Sequence, residues 1–134
     1  MEAIEELRTV KLLEGLSDSE LRRLARQLRE VTHPAGSRVA IRGREGAGFM
    51  VILDGEAEVE TVDGRSRTLT RGDHFGEMAL LDHEGRSADV IARTDLRLAG
   101  VPEWGFKPLL AEHPEVAYRL LQTLSRRLRE AEAG

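Results

Sequence analysis

The chain has 134 residues, of which 40% are hydrophobic and 33% charged, with a formal net charge of −4 and no cysteine. That length fits one domain with its own core, the acidic balance argues against nucleic-acid binding by charge, and the lack of cysteine excludes disulfides and thiolate chemistry. No apolar run approaches the roughly 20 residues of a membrane span, and Met1 to Arg8 lacks the layout of a signal peptide, so a single cytoplasmic domain over 1–134 is expected.

Residues up to about Val31 read as helical, with Ile4, Leu7, Leu12 and Leu13 spaced for a buried face and Gly15 interrupting them. Ser17-Asp18-Ser19-Glu20 is a capping box with Leu16 as its hydrophobic staple, and predicts a second helix. Leu21, Leu24, Ala25 and Leu28 form its apolar stripe. Arg22, Arg23, Arg26 and Arg29 read as a solvated face balanced by nearby glutamates rather than as a nucleic-acid surface.

From Val31 the pattern becomes alternating. His33-Pro34-Ala35-Gly36 is a turn, and Val39 and Ile41 alternate with Arg38 and Arg42. Gly43, Gly46 and Gly48 space a loop that is a weak phosphate signal, because no lysine-serine pair closes it and no helix follows. Phe49 to Leu53 is a continuous apolar strand, and Asp54-Gly55 reads as a tight hairpin turn. Glu56, Glu58 and Glu60 then alternate with Ala57, Val59 and Thr61, giving an acidic solvated face and a small inner one. Asp63-Gly64 turns the chain into a strand over Arg67 to Thr70, and two more strands follow at Asp89 to Ala92 and Leu96 to Val101. Pro102 starts a helix reaching about Ala111, and His113-Pro114-Glu115 restarts it. Val116, Leu120, Leu121, Leu124 and Leu128 line one side of that final helix.

The fold class is therefore α+β: an antiparallel, jelly-roll-like β-barrel over 31–101, with N-terminal helices over 1–30 and two C-terminal helices over 102–132.

The stretch from Gly72 to Val90 carries the chemistry. A short helix beginning after Gly76 would present unpaired N–H groups, and glycine lets a ligand approach the backbone closely. Arg86 and the Ser87 hydroxyl, returned by the next strand, would complete an anion cradle that the small Ala88 leaves open. Glu77 cannot hold the same anion, because like charges repel, but a carboxylate beside it can accept hydrogen bonds from sugar hydroxyls. A nucleotide with ribose and phosphate side by side fits this combination. Taken singly, Glu77 capping its own helix and Arg86 pairing with Glu84 or Asp89 would be the plainer explanation.

His33, His74, His83 and His113 lie scattered without ligand spacing, so no metal site is expected and they read as turn and surface residues. Trp104, beside Pro102, reads as an anchor of its helix on the barrel. No nucleophile–base–orienter set can be assembled, so neither an enzyme nor a cofactor is expected.

Gly76-Glu77-Met78-Ala79-Leu80, the loop to Gly85, and Arg86-Ser87-Ala88 resemble the phosphate-binding cassette, here 76–88, of cyclic nucleotide-binding domains. That family includes bacterial catabolite activators, regulatory subunits of cyclic-AMP-dependent kinase and nucleotide-gated channels. Gly43, Gly46, Phe49, Gly55 and Gly72-Asp73 are similar to its glycine and aromatic spacing, and Leu16-Ser17 through Leu24 resembles its first helix. The resemblance implies that Glu77 accepts from the ribose 2′-hydroxyl and that Arg86 pairs with the cyclic phosphate, helped by Ser87 and the N–H groups of Ala79 and Ala88. It implies that Gly76 and Met78 line the sugar, Val59 the base, and that Arg127 in the last helix approaches the base, although Ala131 stands where the bacterial activator has a hydroxyl.

Serine rather than threonine at Ser87 implies cyclic AMP, with cyclic GMP as the alternative ligand. The last helix would be lid and readout, acting on an effector in cis or trans or on a second copy as a homodimer, with the chain either a fragment of a regulator or channel or a stand-alone sensor. The rival expectation is an interaction module that keeps the fold and binds no cyclic nucleotide.

Overall fold

In the computed structural model the described residues are 4–40, 48–61, 64–76 and 88–133. Helix α1 (Ile4–Leu7) leads through a single 3-10 turn (Lys11–Leu13) to α2 (Asp18–Gln27). The capping box closes as expected: the Glu20 N–H donates to Ser17 Oγ at 3.2 Å, and the Ser17 N–H donates to Glu20 Oε1 at 3.2 Å. The expected helical reading to Val31 is too long. Leu28 leaves helical geometry at φ −93°, ψ 147°, and strand β1 (Arg29–His33) follows. Tertiary pairing decides this boundary, because Arg29 to His33 align antiparallel with Gly100 to Leu96.

Among the described residues the remaining strands are β2 (Arg38–Ala40), β3 (Phe49–Asp54), β4 (Ala57–Thr61), β5 (Ser66–Leu69), β6 (His74–Phe75), β7 (Ala88–Ala92) and β8 (Leu96–Val101). They form two four-stranded sheets, in the orders β1-β8-β3-β6 and β2-β7-β4-β5, and every pairing is antiparallel. Helices α3 (Glu103–Glu112) and α4 (Pro114–Ala133) complete the chain, with Pro102 as the N-cap of α3. The jelly-roll-like α+β architecture is the expected one.

Strand β3 explains its own continuous apolar run, since both of its faces are covered. Phe49, Val51 and Leu53 pack with Leu21, Leu24, Phe106 and Val116 from the helices, whereas Met50 and Ile52 join Val59, Val90 and Leu98 between the sheets. Strand β8 divides the same way, with Leu96 and Leu98 inward and Ala99 and Val101 towards the helices. On that helical side Arg97 donates to both carboxylate oxygens of Glu6, at 2.9 and 3.1 Å, and also engages Glu30. Glu6 first, and then Glu30, push the guanidinium pKa further up. The cluster fastens α1 across β8 and β1.

Asp54-Gly55 is not a hairpin turn. Strands β3 and β4 lie in different sheets, so this corner carries the chain from one sheet to the other. Gly55 holds φ +97°, and a Cβ there would collide with the Asp95 carbonyl and lie 2.8 Å from Thr94 Oγ1. The corner is pinned instead by the Arg93 N–H donating to the Glu56 carbonyl at 2.9 Å and the Glu56 N–H donating to Thr94 Oγ1 at 3.0 Å. The Asp–Gly pair signals a reversal, while the choice of partner strand belongs to the sheets.

Two side-chain expectations also change. His74 and His113 are buried rather than superficial, and Trp104 is 78% exposed rather than anchored. The buried aromatic of α3 is Phe106, whose ring centroid lies 5.4 Å from that of Phe49. Among the described residues no helix is long and apolar enough to cross a membrane.

Candidate cyclic nucleotide site

Each sheet supplies one end of the segment that carries the expected chemistry: β6 precedes it and β7 follows it. On one side, β6 pairs Phe75 with Met50, and Gly76 follows, half-buried at φ +97°. That angle suits glycine, and a side chain would strain it. On the other side Ala88 opens β7 opposite Thr61 and is buried in the cluster between the sheets. Val59 lies two residues along β4, opposite Val90, and faces the same interior. Gly76, Ala88 and Val59 thus have places on or beside the inner wall. Glu77, Met78, Ala79, Arg86 and Ser87 lie outside the described residues.

Arg127 stands elsewhere, on α4. It is half-buried and lines a cleft of about 420 Å³ between α4, the 3-10 turn and the Gly72–His74 segment leading to Gly76. The Asp73 carboxylate accepts from the Thr70 N–H at 2.8 Å, while its carbonyl accepts from the Ile52 N–H at 2.8 Å, so the barrel side of the cleft is fixed to β3. Beside it His74 is buried, with its ring 5.3 Å from the Phe49 ring.

Apart from Arg127, the helix side of the cleft was missed by following leucines alone. Arg119, Gln122, Thr123, Arg126, Arg127 and Glu130 all line it, and they recur at intervals of one, three and four, as one face of a helix requires. Arg119 also reaches Glu14, at 3.6 Å, tying α4 to the N-terminal segment. A polar stripe beside an apolar one was readable as a helix with two jobs. Among the described residues no group of three metal-ligating side chains exists.

This arrangement offers a lined interior, a glycine-opened segment end and a cleft flanked by α4. It coincides with a family match: residues 30–113 fit the model of the cyclic nucleotide-binding domain. The chain belongs to that family. The domain is 38% identical over 115 residues to a cAMP-dependent protein kinase regulatory subunit of Aspergillus fumigatus, covering 84% of this chain and 28% of that one. In structure it is similar to the catabolite activator protein of Thermus thermophilus, at 31% identity and a TM-score of 0.81 over 91% of this chain and 60% of that one. It is also similar to the regulatory subunit of a cAMP-independent protein kinase A from Trypanosoma brucei, at 29% identity and a TM-score of 0.80 over 90% of this chain and 43% of that one. The domain spans little more than a quarter of the Aspergillus relative's length.

Proposed function

We propose that this domain is a cytoplasmic, non-enzymatic sensor that binds a cyclic nucleotide, cyclic AMP first, and signals through α4. The observation that carries this reading is the family match over 30–113, which includes Glu77 and Arg86, on a fold that puts Gly76 and Ala88 at either end of their segment. Glu77 would accept from the ribose hydroxyl, and Arg86 with Ser87 would hold the phosphate. Gly76, Met78 and Ala79 would lie along the sugar and phosphate, with Val59 and Arg127 towards the base. The kinase subunit and the catabolite activator support a regulatory role. Residues 1–30, 31–101 and 102–132 would serve as helical base, barrel and readout.

Calorimetric titration is the test. Saturable heat is expected with cyclic AMP, and weaker or equal heat with cyclic GMP; no heat with either at high micromolar concentration would remove the sensor reading. That result would favour the second reading, an interaction module without a cyclic nucleotide, which similarity to a cAMP-independent regulatory subunit supports.

The readout has a surface to act through. Tyr118 and Leu121 are each 64% exposed on α4 and Leu128 is 60% exposed, at spacings of three and seven that keep them on one side of the helix. This seam would pair with a second copy. Sedimentation of the wild type is expected to show dimer, and Leu121→Glu to return it to monomer; a wild type monomeric at all concentrations would remove the pairing.

A further inference from the structure

The junction between α3 and α4 holds a buried histidine that the binding site does not use. The His113 backbone ends one helix and starts the next: its N–H donates to the Leu109 carbonyl at 3.0 Å, and its carbonyl accepts from the Val116 N–H at 2.9 Å. Its own torsions, φ −129° and ψ 72°, belong to neither helix. The side chain has 0% exposure, and among the described residues neither ring nitrogen has a hydrogen-bond partner. Buried polar groups are rarely left this way, so an orphaned imidazole at a helix junction calls for a reason.

A candidate partner stands just beyond reach. Glu20 Oε2 of α2 lies 3.8 Å from His113 Nδ1. The other oxygen of that carboxylate accepts from the Ser17 N–H, and this bond, followed by the one to the Ser17 side chain, lowers the Glu20 pKa. Glu20 is therefore anionic throughout the range in which histidines change charge. Other charged side chains near the junction make contacts of their own. Glu112 accepts from Gln27 Nε2 at 3.5 Å, Arg119 faces Glu14 at 3.6 Å, and Arg23 interacts with Glu20 across α2.

We propose that His113 is a positioning residue for α4: protonated, its Nδ1–H donates to Glu20 and ties the α3–α4 pivot to α2, and neutral it lets the pivot move. A neutral imidazole offers one donor and one acceptor, whereas the protonated ring offers two donors and a charge that Glu20 complements. The contact thus couples proton concentration to the helix that, on the proposed function, covers the nucleotide.

The test reads the helix before the ligand. Spin labels on Arg22→Cys and Arg129→Cys, in a chain with no other cysteine, report the distance between α2 and α4 in nucleotide-free protein. Between about pH 8 and pH 5.5 the wild-type distance is expected to move by about 1–2 Å. It is expected to stay put in His113→Leu and in Glu20→Gln, the latter keeping an oxygen for the capping box. An unmoved wild-type distance, or a shift that persists in both variants, overturns the proposal. Cyclic AMP affinity is then expected to change about fivefold between the two pH values in the wild type and to be flat in Glu20→Gln. A moving helix with no nucleotide binding at either pH keeps the latch and removes only the sensor reading.

Discussion

Arg86→Ala is expected to weaken cyclic AMP binding about 10- to 150-fold, with the melting temperature of the unliganded domain unchanged. The size follows from a charge-assisted contact, worth roughly 1.5–3 kcal/mol when one partner is removed from a partly desolvated pair. On the proposed assignment Glu77 would not compensate, because its charge would repel the phosphate, and Ser87 with backbone N–H groups would supply only neutral donors. Arg86→Lys separates charge from geometry. A lysine keeps the charge and loses the planar fork, so a loss between wild type and alanine is expected. Calorimetry on the three proteins checks both statements. Equal affinities would detach Arg86 from the phosphate while leaving nucleotide binding in place, since Gly76, Ala88 and Val59 are set by the barrel.

Leu98→Ala is expected to cost about 2–5 kcal/mol of folding stability, the range for a large aliphatic side chain removed from a core that collapses only partly. Leu98 is fully buried, and its strand is hydrogen-bonded on both sides, opposite Val31 of β1 and Ile52 of β3. Its side chain sits between the two sheets with Met50, Val59 and Val90. A strand held on both edges cannot shift to fill the void without breaking ladders. Urea unfolding checks the loss, and a change below about 1 kcal/mol would show that the sheets close over the gap. Val59 shares the cluster, so the nucleotide affinity of the folded variant reports whether the position proposed to face the base moves with the core.

The pattern of the chain was informative wherever one contact face dominates. The capping box at Ser17 and Glu20 formed as expected, because the partners lie three residues apart and need nothing from the rest of the molecule. The stripe of Leu21, Leu24, Ala25 and Leu28 is buried, since helical spacing puts these residues on one face whatever covers it. The alternation of Ala57 and Val59 with Glu58 and Glu60 likewise marked the inner and outer faces of β4.

Other features depended on partners distant in sequence. Local reading ran the first helical region to Val31, and the ladder with β8 claimed residues from Arg29 onwards. Asp54-Gly55 announced a turn, and only the pairing of β3 with β6 and β8 made it a crossing between sheets. A histidine carries no label of depth: the burial of His74 followed from the place of β6 beside β3, and the burial of His113 and the exposure of Trp104 followed from how their helix packs. Glu77 to Ser87 lie outside the described residues, and the expectation that residues between Gly76 and Ala88 grip ribose and phosphate was legible as a contiguous motif. Where α4 crosses the barrel was not, because a helix with an apolar and a polar stripe can dock on either. Tertiary packing chose, setting Arg127 and its polar neighbours over the cleft and leaving Tyr118, Leu121 and Leu128 outside.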